Sequence, residues 1–378
     1  MRFIRENLFI VVLLGATVVV GGVAVGYYLT LRGELNSKLR KRTGLSGSLA
    51  RLAGPSQVKV SEEFVQAQQR RIDALMASAK KDSDDGINFN RRNLPMIKLN
   101  VGAAMPRDAF PIDEKLYSDL GLNYVFIKEY TRTLDEMFAS PALRRTSLAT
   151  RDELQQEEAR LQETYKDKAR AKAIESMKVK KAQQGLIYID TEEAADRVFT
   201  SRDTRAQPDQ LWRAQVNLWV TGEILRVIAE TNRQLLEQHV KAGLDPNQGS
   251  VLNSAVKRLV KININEAVGG AVGGAFGGGT RQATGLTGRA NTADYAVFTY
   301  RITVIMPTGQ VDRLMNNLMS QNYHTVTNIQ IGPIPRERNY YYGPEPVMMV
   351  GIDGEMLLLT KWIRPLMPPD VAAKLPPG

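Results

Sequence analysis

The chain contains no cysteine and only two histidines, His239 and His324, among its 378 residues. The first absence excludes disulfides, thiolate metal sites and cysteine nucleophiles. The second removes the commonest general base and metal ligand from most of the chain, because the two imidazoles sit in unrelated sequence contexts. Paired carboxylates, nucleophile–base pairs and metal-ligand spacings are missing as well. No catalytic residue, metal ligand or cofactor is therefore assigned, and the sequence points away from an enzyme and from a small-molecule substrate.

Charge of one sign is in modest excess. Fifty Lys and Arg against 40 Asp and Glu give +10, but the two signs interleave without the clustered basic stripe that nucleic acid requires, so none is expected as a partner. One stretch has no charge at all, Leu8 to Leu31, LFIVVLLGATVVVGGVAVGYYLTL. About 24 residues at roughly 1.5 Å each make a helix of about 36 Å, enough to span a hydrocarbon core of about 30 Å with some tilt. A cleaved signal peptide has a shorter apolar core and a small-x-small end; this run ends in Tyr27-Tyr28-Leu29. The expected organisation is a cytoplasmic tail (1–7), a retained transmembrane helix (8–31) and a large remainder on one side of the membrane. Gly22 and Gly26 form a GxxxG at which a second membrane helix could approach. Arg32, Lys38, Arg40, Lys41 and Arg42 follow as candidate contacts for anionic headgroups, at about 1 kcal/mol each near the surface. Their excess favours a cytoplasmic remainder, yet long domains translocate largely regardless of flanking charge.

Residues 32–86 read as a juxtamembrane and amphipathic helical segment. Over Val58 to Lys81, Val65, Ile72 and Ala79 recur every seven residues with Leu75 and Met76 beside them, a seam suited to a neighbouring helix. Lys81 to Gly86 reads as a turn, its acid spacing being wrong for a calcium loop. Residues 87–148 form an irregular lobe, Pro-punctuated at first and helical over Asn123 to Ala139. The charge-rich 149–208 region predicts a single helical arm over 149–184, acidic at its start and basic at its end, with Leu154, Leu161 and Tyr165 on a thin apolar stripe. Val65, Ile72, Met76, Leu154, Leu161 and Tyr165 are the candidate partner-interface residues.

The span 209–365 has the clearest pattern. A long helix from Gln210 to about Lys241 carries Trp212 and Trp219 on a broad apolar stripe. Strands follow at Val256–Ile264 and Tyr295–Met306, then a helix at Pro307–Ser320 and strands at Tyr323–Ile331 and Val347–Leu359. Helix-strand-strand twice over predicts an α+β fold, a ferredoxin-like plait in circularly shifted order with both helices on one face. The Gly-rich loop 266–294, with GGAVGGAFGGG, lacks the Gly-Lys-Ser/Thr of a phosphate loop and reads as a flexible connection. Lys257, Arg258 and Lys261 read as a solvated strand face, His324 as an exposed or satisfied side chain, and 366–378 as a loose Pro-rich tail.

A short tail, one membrane helix, helical seams and a terminal helix-strand-strand repeat, closest over Tyr295 to Leu359, resemble PilO, the inner-membrane alignment protein of type IV pili, related in plan to GspM of type II secretion. That resemblance implies a non-enzymatic scaffold, forming homo- or heterodimers with a PilN-like bitopic protein, with its large part in the periplasm. The chain exceeds the family's plan by the 87–200 insertion and the Gly-rich loop. The competing expectation is a membrane-tethered cytoplasmic adaptor whose basic surface meets anionic lipid or nucleic acid.

Overall fold

The computed structural model describes residues 62–100, 106–112, 120–165, 168–200, 203, 205–245, 248–264, 287–334 and 340–376. The segment 8–31 with Gly22 and Gly26, the basic cluster Arg32 to Arg42, and residues 265–286 of the Gly-rich stretch lie outside the described residues. Among the described residues no helix is long and apolar enough to cross a membrane. The chain divides into two compact units, Met1–Lys80 and Lys81–Gly378. The expected lobe, arm and plait thus share one unit.

Helix α1, Glu62–Arg91, spans the division. Glu62 and Glu63 begin it and Arg91 ends it, each on the side of the helix dipole that favours its charge. It runs straight through Lys81 to Gly86, where a turn was expected. Asp, Ser and Gly are weak helix formers, but the next turn is held by packing, with Ile87 against the core and Phe89 5.1 Å from the Tyr323 ring. Tertiary contacts override local propensity here.

The sheet is mixed and six-stranded, in the order β3-β4-β5-β6-β8-β7. Its strands are β3 (Arg145–Thr146), β4 (Ile187–Ile189), β5 (Arg258–Ile264), β6 (Tyr295–Met306), β7 (His324–Gly332) and β8 (Met348–Leu359); β1 (Lys98–Leu99) and β2 (Arg107–Asp108) form a separate small ladder. From β5 to β7 every pairing is antiparallel, the order two helix-strand-strand halves produce. β3 and β4, both parallel to their neighbours, extend it beyond the expected four strands. Their pairs are two residues long, too short for a periodicity to register in sequence.

Helix α5, Pro208–Lys241, is the centre of the core. Pro208 stands at its first turn, where a missing N–H costs nothing. Gly243 at φ 105° follows its end, a conformation that glycine adopts freely. Leu211, Trp212, Val216, Leu218, Trp219, Ile224 and Ile228 are buried almost all round it. Helix α2, Leu120–Phe138, packs beside it with Phe126, Tyr130, Leu134 and Phe138 fully buried. Helix α6, Val311–Gln321, lies against α5, where Asn317 Nδ2 donates to Thr231 and Gln234 at 3.0 Å. The in-register pairs Phe298/Met356, Ile302/Ile352 and Val304/Val350 are buried on one face of the sheet. The opposite face is polar: Arg301 binds Asp353 through Nε (2.5 Å) and Nη2 (3.0 Å), and Thr287 donates to both oxygens of Glu355.

The expected single arm is instead two helices, α3 (Arg151–Gln162) and α4 (Ala169–Gln183), packed side by side. Glu157 binds Arg160, Lys180 and Ser176, and Glu153 binds Lys181 at 2.6 Å, so the acidic half folds back on the basic half. The charge segregation that complements one helix dipole equally well closes an antiparallel hairpin. The C-terminal tail 366–378 also departs from the loose segment expected, since Met367, Val371 and Leu375 are buried.

Buried peptide groups outside the regular ladders are met by carboxamides. Asn123 accepts from the Ala206 amide (2.8 Å) and donates to its carbonyl (3.0 Å). Asn232 does the same for Val256, at 2.7 and 3.0 Å. Gln215 accepts from Ile97 N (2.9 Å) and donates to Pro95 O (3.1 Å). Asn90 donates to Leu357 O and Asn322 Oδ1 and accepts from Leu359 N and the Trp362 indole, all within 2.8–2.9 Å.

His324 is buried. Its Nδ1 meets Tyr300 Oη at 3.1 Å, and its Nε2 has no hydrogen-bond partner. The Tyr300 ring occupies the space above Gly354, where a Cβ would come within 2.4 Å of it. Burial pushes the imidazole down to about 4, so it is neutral in the fold.

Two outcomes follow from these contacts. Asn90→Ala strands several buried donors and acceptors at about 1–3 kcal/mol each, so urea unfolding should show a loss of roughly 3–5 kcal/mol. For His324 the folded value lies below the ordinary 6.5, so the unfolded chain binds the extra proton. Its contribution is complete above 6.5 and is lost as pH falls from 6.5 to 4, on the order of 3 kcal/mol in all. Urea midpoints for His324→Gln should fall less steeply over that range than those of the parent.

Candidate interaction surface

Among the described residues no group of three or more His, Asp or Glu is placed to hold a metal ion. An open cleft of about 550 Å³ lies over β3 and β4, lined by Arg145, Thr146, Tyr188, Asp190, Thr191 and Tyr340 among others. Its polar groups are committed to one another: Arg145 donates to Thr191 Oγ1 at 2.8 Å, and Asp190 accepts from the Glu192 amide at 3.0 Å.

The basic trio beside the Gly-rich stretch is not a solvated face. Lys257 is wholly buried, its Nζ donating to the carbonyls of Val251 (3.0 Å) and Leu252 (2.8 Å). Burial pushes that ammonium down to about 8, against the pull of the Glu345 carboxylate 3.9 Å away. Arg258 is also buried, its guanidinium 3.9 Å from the centre of the Tyr340 ring. Only Lys261 is exposed. The loop carrying Tyr340 to Glu345, distant in sequence, meets both, Glu345 beside Lys257 and Tyr340 beside Arg258.

The six interface candidates separate. Leu161 is buried with Ala169 and Ala173 inside the α3–α4 hairpin, Leu154 is half-buried, and Tyr165 carries Lys172 Nζ 3.3 Å over its ring. Leu161 thus serves the hairpin itself, while Tyr165 remains 41% exposed at its turn. Val65, Ile72 and Met76 are 53%, 47% and 57% exposed, and Leu75 is 62% exposed. Each sits on α1, where every residue from Glu62 to Lys80 is exposed. Aliphatic side chains at helical spacing on an exposed helix leave apolar area in water, at roughly 25 cal/mol per Å².

Three further exposed apolar residues are Met319, Tyr323 and Ile331, which the sequence places only within the helix Pro307–Ser320 and the strand Tyr323–Ile331. A signal was present, since no Asp, Glu, Lys or Arg occurs from Leu314 to Pro335 in a chain that is 24% charged.

No family model matches the chain, and none of the curated proteins matches it. Similar solved structures come from Akkermansia muciniphila. One shares 11% identity at a TM-score of 0.27, over 62% of this chain and 94% of that one. A second, solved without its transmembrane region, shares 10% at 0.29, over 63% and 85%. A third, of a core domain, shares 10% at 0.29, over 62% and 86%.

Proposed function

We propose that the chain is a non-enzymatic, membrane-anchored scaffold of a type IV pilus or type II secretion-like assembly, working by helix pairing through α1. The observation that carries this reading is the exposed apolar set Val65, Ile72, Leu75 and Met76. Those residues begin some 30 positions after the uncharged run Leu8 to Leu31. A partner anchored in the same membrane, a second copy or a PilN-like bitopic protein, would run parallel and meet the same face at the same height. Pairing on Ile72 would bury it as a knob between four residues of the facing helix. In this reading 8–31 crosses the inner membrane and the large part is periplasmic. A cytoplasmic adaptor on anionic lipid is the second reading, favoured by the basic residues Arg32 to Arg42; a reporter fused after Gly378 that is active only outside the cytoplasm removes it.

The lack of cysteine makes the test clean, because a single introduced thiol is the only one. Ile72→Cys, oxidised in native membranes, should form a disulfide with a second copy, or a maleimide adduct with a bitopic partner if a cross-linker is supplied. Ile72→Glu with Leu75→Glu should lower partner recovery at least about tenfold, the effect of about 1.4 kcal/mol, while leaving thermal unfolding of the Lys81–Gly378 unit unchanged. Absence of any cross-link together with undiminished recovery would count against the scaffold.

A further inference from the structure

The two ends of the six-stranded sheet are built differently. At one end β3 is two residues long and carries Arg145, a short and charged edge of the kind that discourages pairing with another chain. At the other end β7 is nine residues long, HTVTNIQIG, with neither a Lys, Glu or Asp nor a proline inside it. The absence reaches back into the last eight residues of α6, since Leu314 to Pro335 contains no charged side chain. Ile331 is 52% exposed on this edge and Met319 on α6 is 46% exposed. A bulge between Val326 and Asn328 disturbs the first half of β7. The second half, Asn328 to Gly332, is regular against Asp353 to Met349 of β8.

We infer that the β7 edge is a pairing surface for a second copy of this chain, joined antiparallel through residues 328–332. Register against β8 puts Ile329 opposite Ile352 and Ile331 opposite Val350, both on the helix-covered face, and Gln330 opposite Gly351 on the other. A two-fold axis at Gln330 then sets Ile329 of one copy beside Ile331 of the other, twice. Four isoleucines meet on one face, flanked by the two Met319 side chains, and Gln330 faces its own copy on the other. Self-pairing requires that a surface be compatible with itself. A strand with charges would oppose like against like at some register, whereas this one opposes none. An edge shaped to receive a different protein has no such reason to be free of charge, since complementary charges give specificity and speed encounter. Five residues of ladder make a weak contact, suited to copies held at high local concentration in one membrane. This interface is separate from the α1 face and stands whether or not α1 pairs.

Gln330→Cys in the full-length, otherwise cysteine-free chain tests it. In membranes, a short bis-maleimide should join two copies through residue 330, while Lys128→Cys, exposed on α2, should give no such product. Adding Ile331→Lys to Gln330→Cys sets like charges near the axis and should reduce the cross-linked yield at least about tenfold, with circular dichroism confirming an unchanged fold. Both readouts report on residue 330 alone, so neither depends on α1. A cross-link to a protein of another mass, or equal yields from residues 330 and 128, or a yield indifferent to Ile331→Lys, would overturn self-pairing.

Discussion

Burying backbone that is in neither helix nor sheet is the constraint on which this fold rests. An unpartnered N–H or C=O away from water costs about as much as a lost hydrogen bond. Here four carboxamides take that role, each presenting a donor and an acceptor to a peptide segment much as a neighbouring strand would. Asn123 serves Ala206, Asn232 serves Val256, Gln215 serves Pro95 and Ile97, and Asn90 serves Leu357 and Leu359. Three of the four segments they hold are irregular chain entering or leaving the core. Gln215, joined by the Trp219 indole donating to Pro95 O at 2.8 Å, lets the chain from Pro95 to Ile97 lie dry against α5.

Asn90 has a second consequence, because it stands in the last turn of α1. Its carbonyl and side chain exchange hydrogen bonds with Asn322, and Arg92 next to it donates to the carbonyls of Ser320 and Gln321, which end α6. An arginine on the open carbonyls of a helix C-terminus satisfies groups that have no partner in the helix and opposes the negative end of its dipole. The residues that finish α1 thus hold those that finish α6 and lead into β7. The last turn of α1 is thereby given a defined end by the core.

What the sequence revealed follows the range of the forces involved. Elements governed by their own periodicity were legible: α5, β6, α6 and β8 fall within a few residues of expectation, because each buries one face or two against a large core. Elements governed by distant partners were not. The 149–184 stretch has helical composition throughout, and only the matching of Glu153 and Glu157 to Lys181 and Lys180 distinguishes a hairpin from a rod. β4 acquires strand geometry from β5 and β3 from β4, through the amides of Tyr188 and Leu186 donating to Lys257 O and Arg144 O. Of the candidate surface, the heptad spacing on α1 could be read directly, while burial of Lys257 and Arg258 could not, since Tyr340 and Glu345 arrive from a loop more than 80 positions away.

The α1 face and the β7 edge differ in how they avoid unwanted partners. On α1, Val65, Ile72, Leu75 and Met76 are interspersed with Gln68, Gln69, Arg70, Arg71 and Asp73, so the seam is narrow and its flanks are polar and charged. Charged flanks select register and orientation through complementary pairs, and they make a wrong partner costly. The β7 edge has no such filter. It relies instead on shortness, since the bulge at Val326/Asn328 leaves only the segment to Gly332 regular, and Pro333 cannot donate to a ladder. A contact too small to hold two molecules in solution discriminates by requiring that they already be neighbours. Under the proposed pairings, the selective seam on α1 chooses the partner and the permissive β7 edge orders the copies once they are gathered.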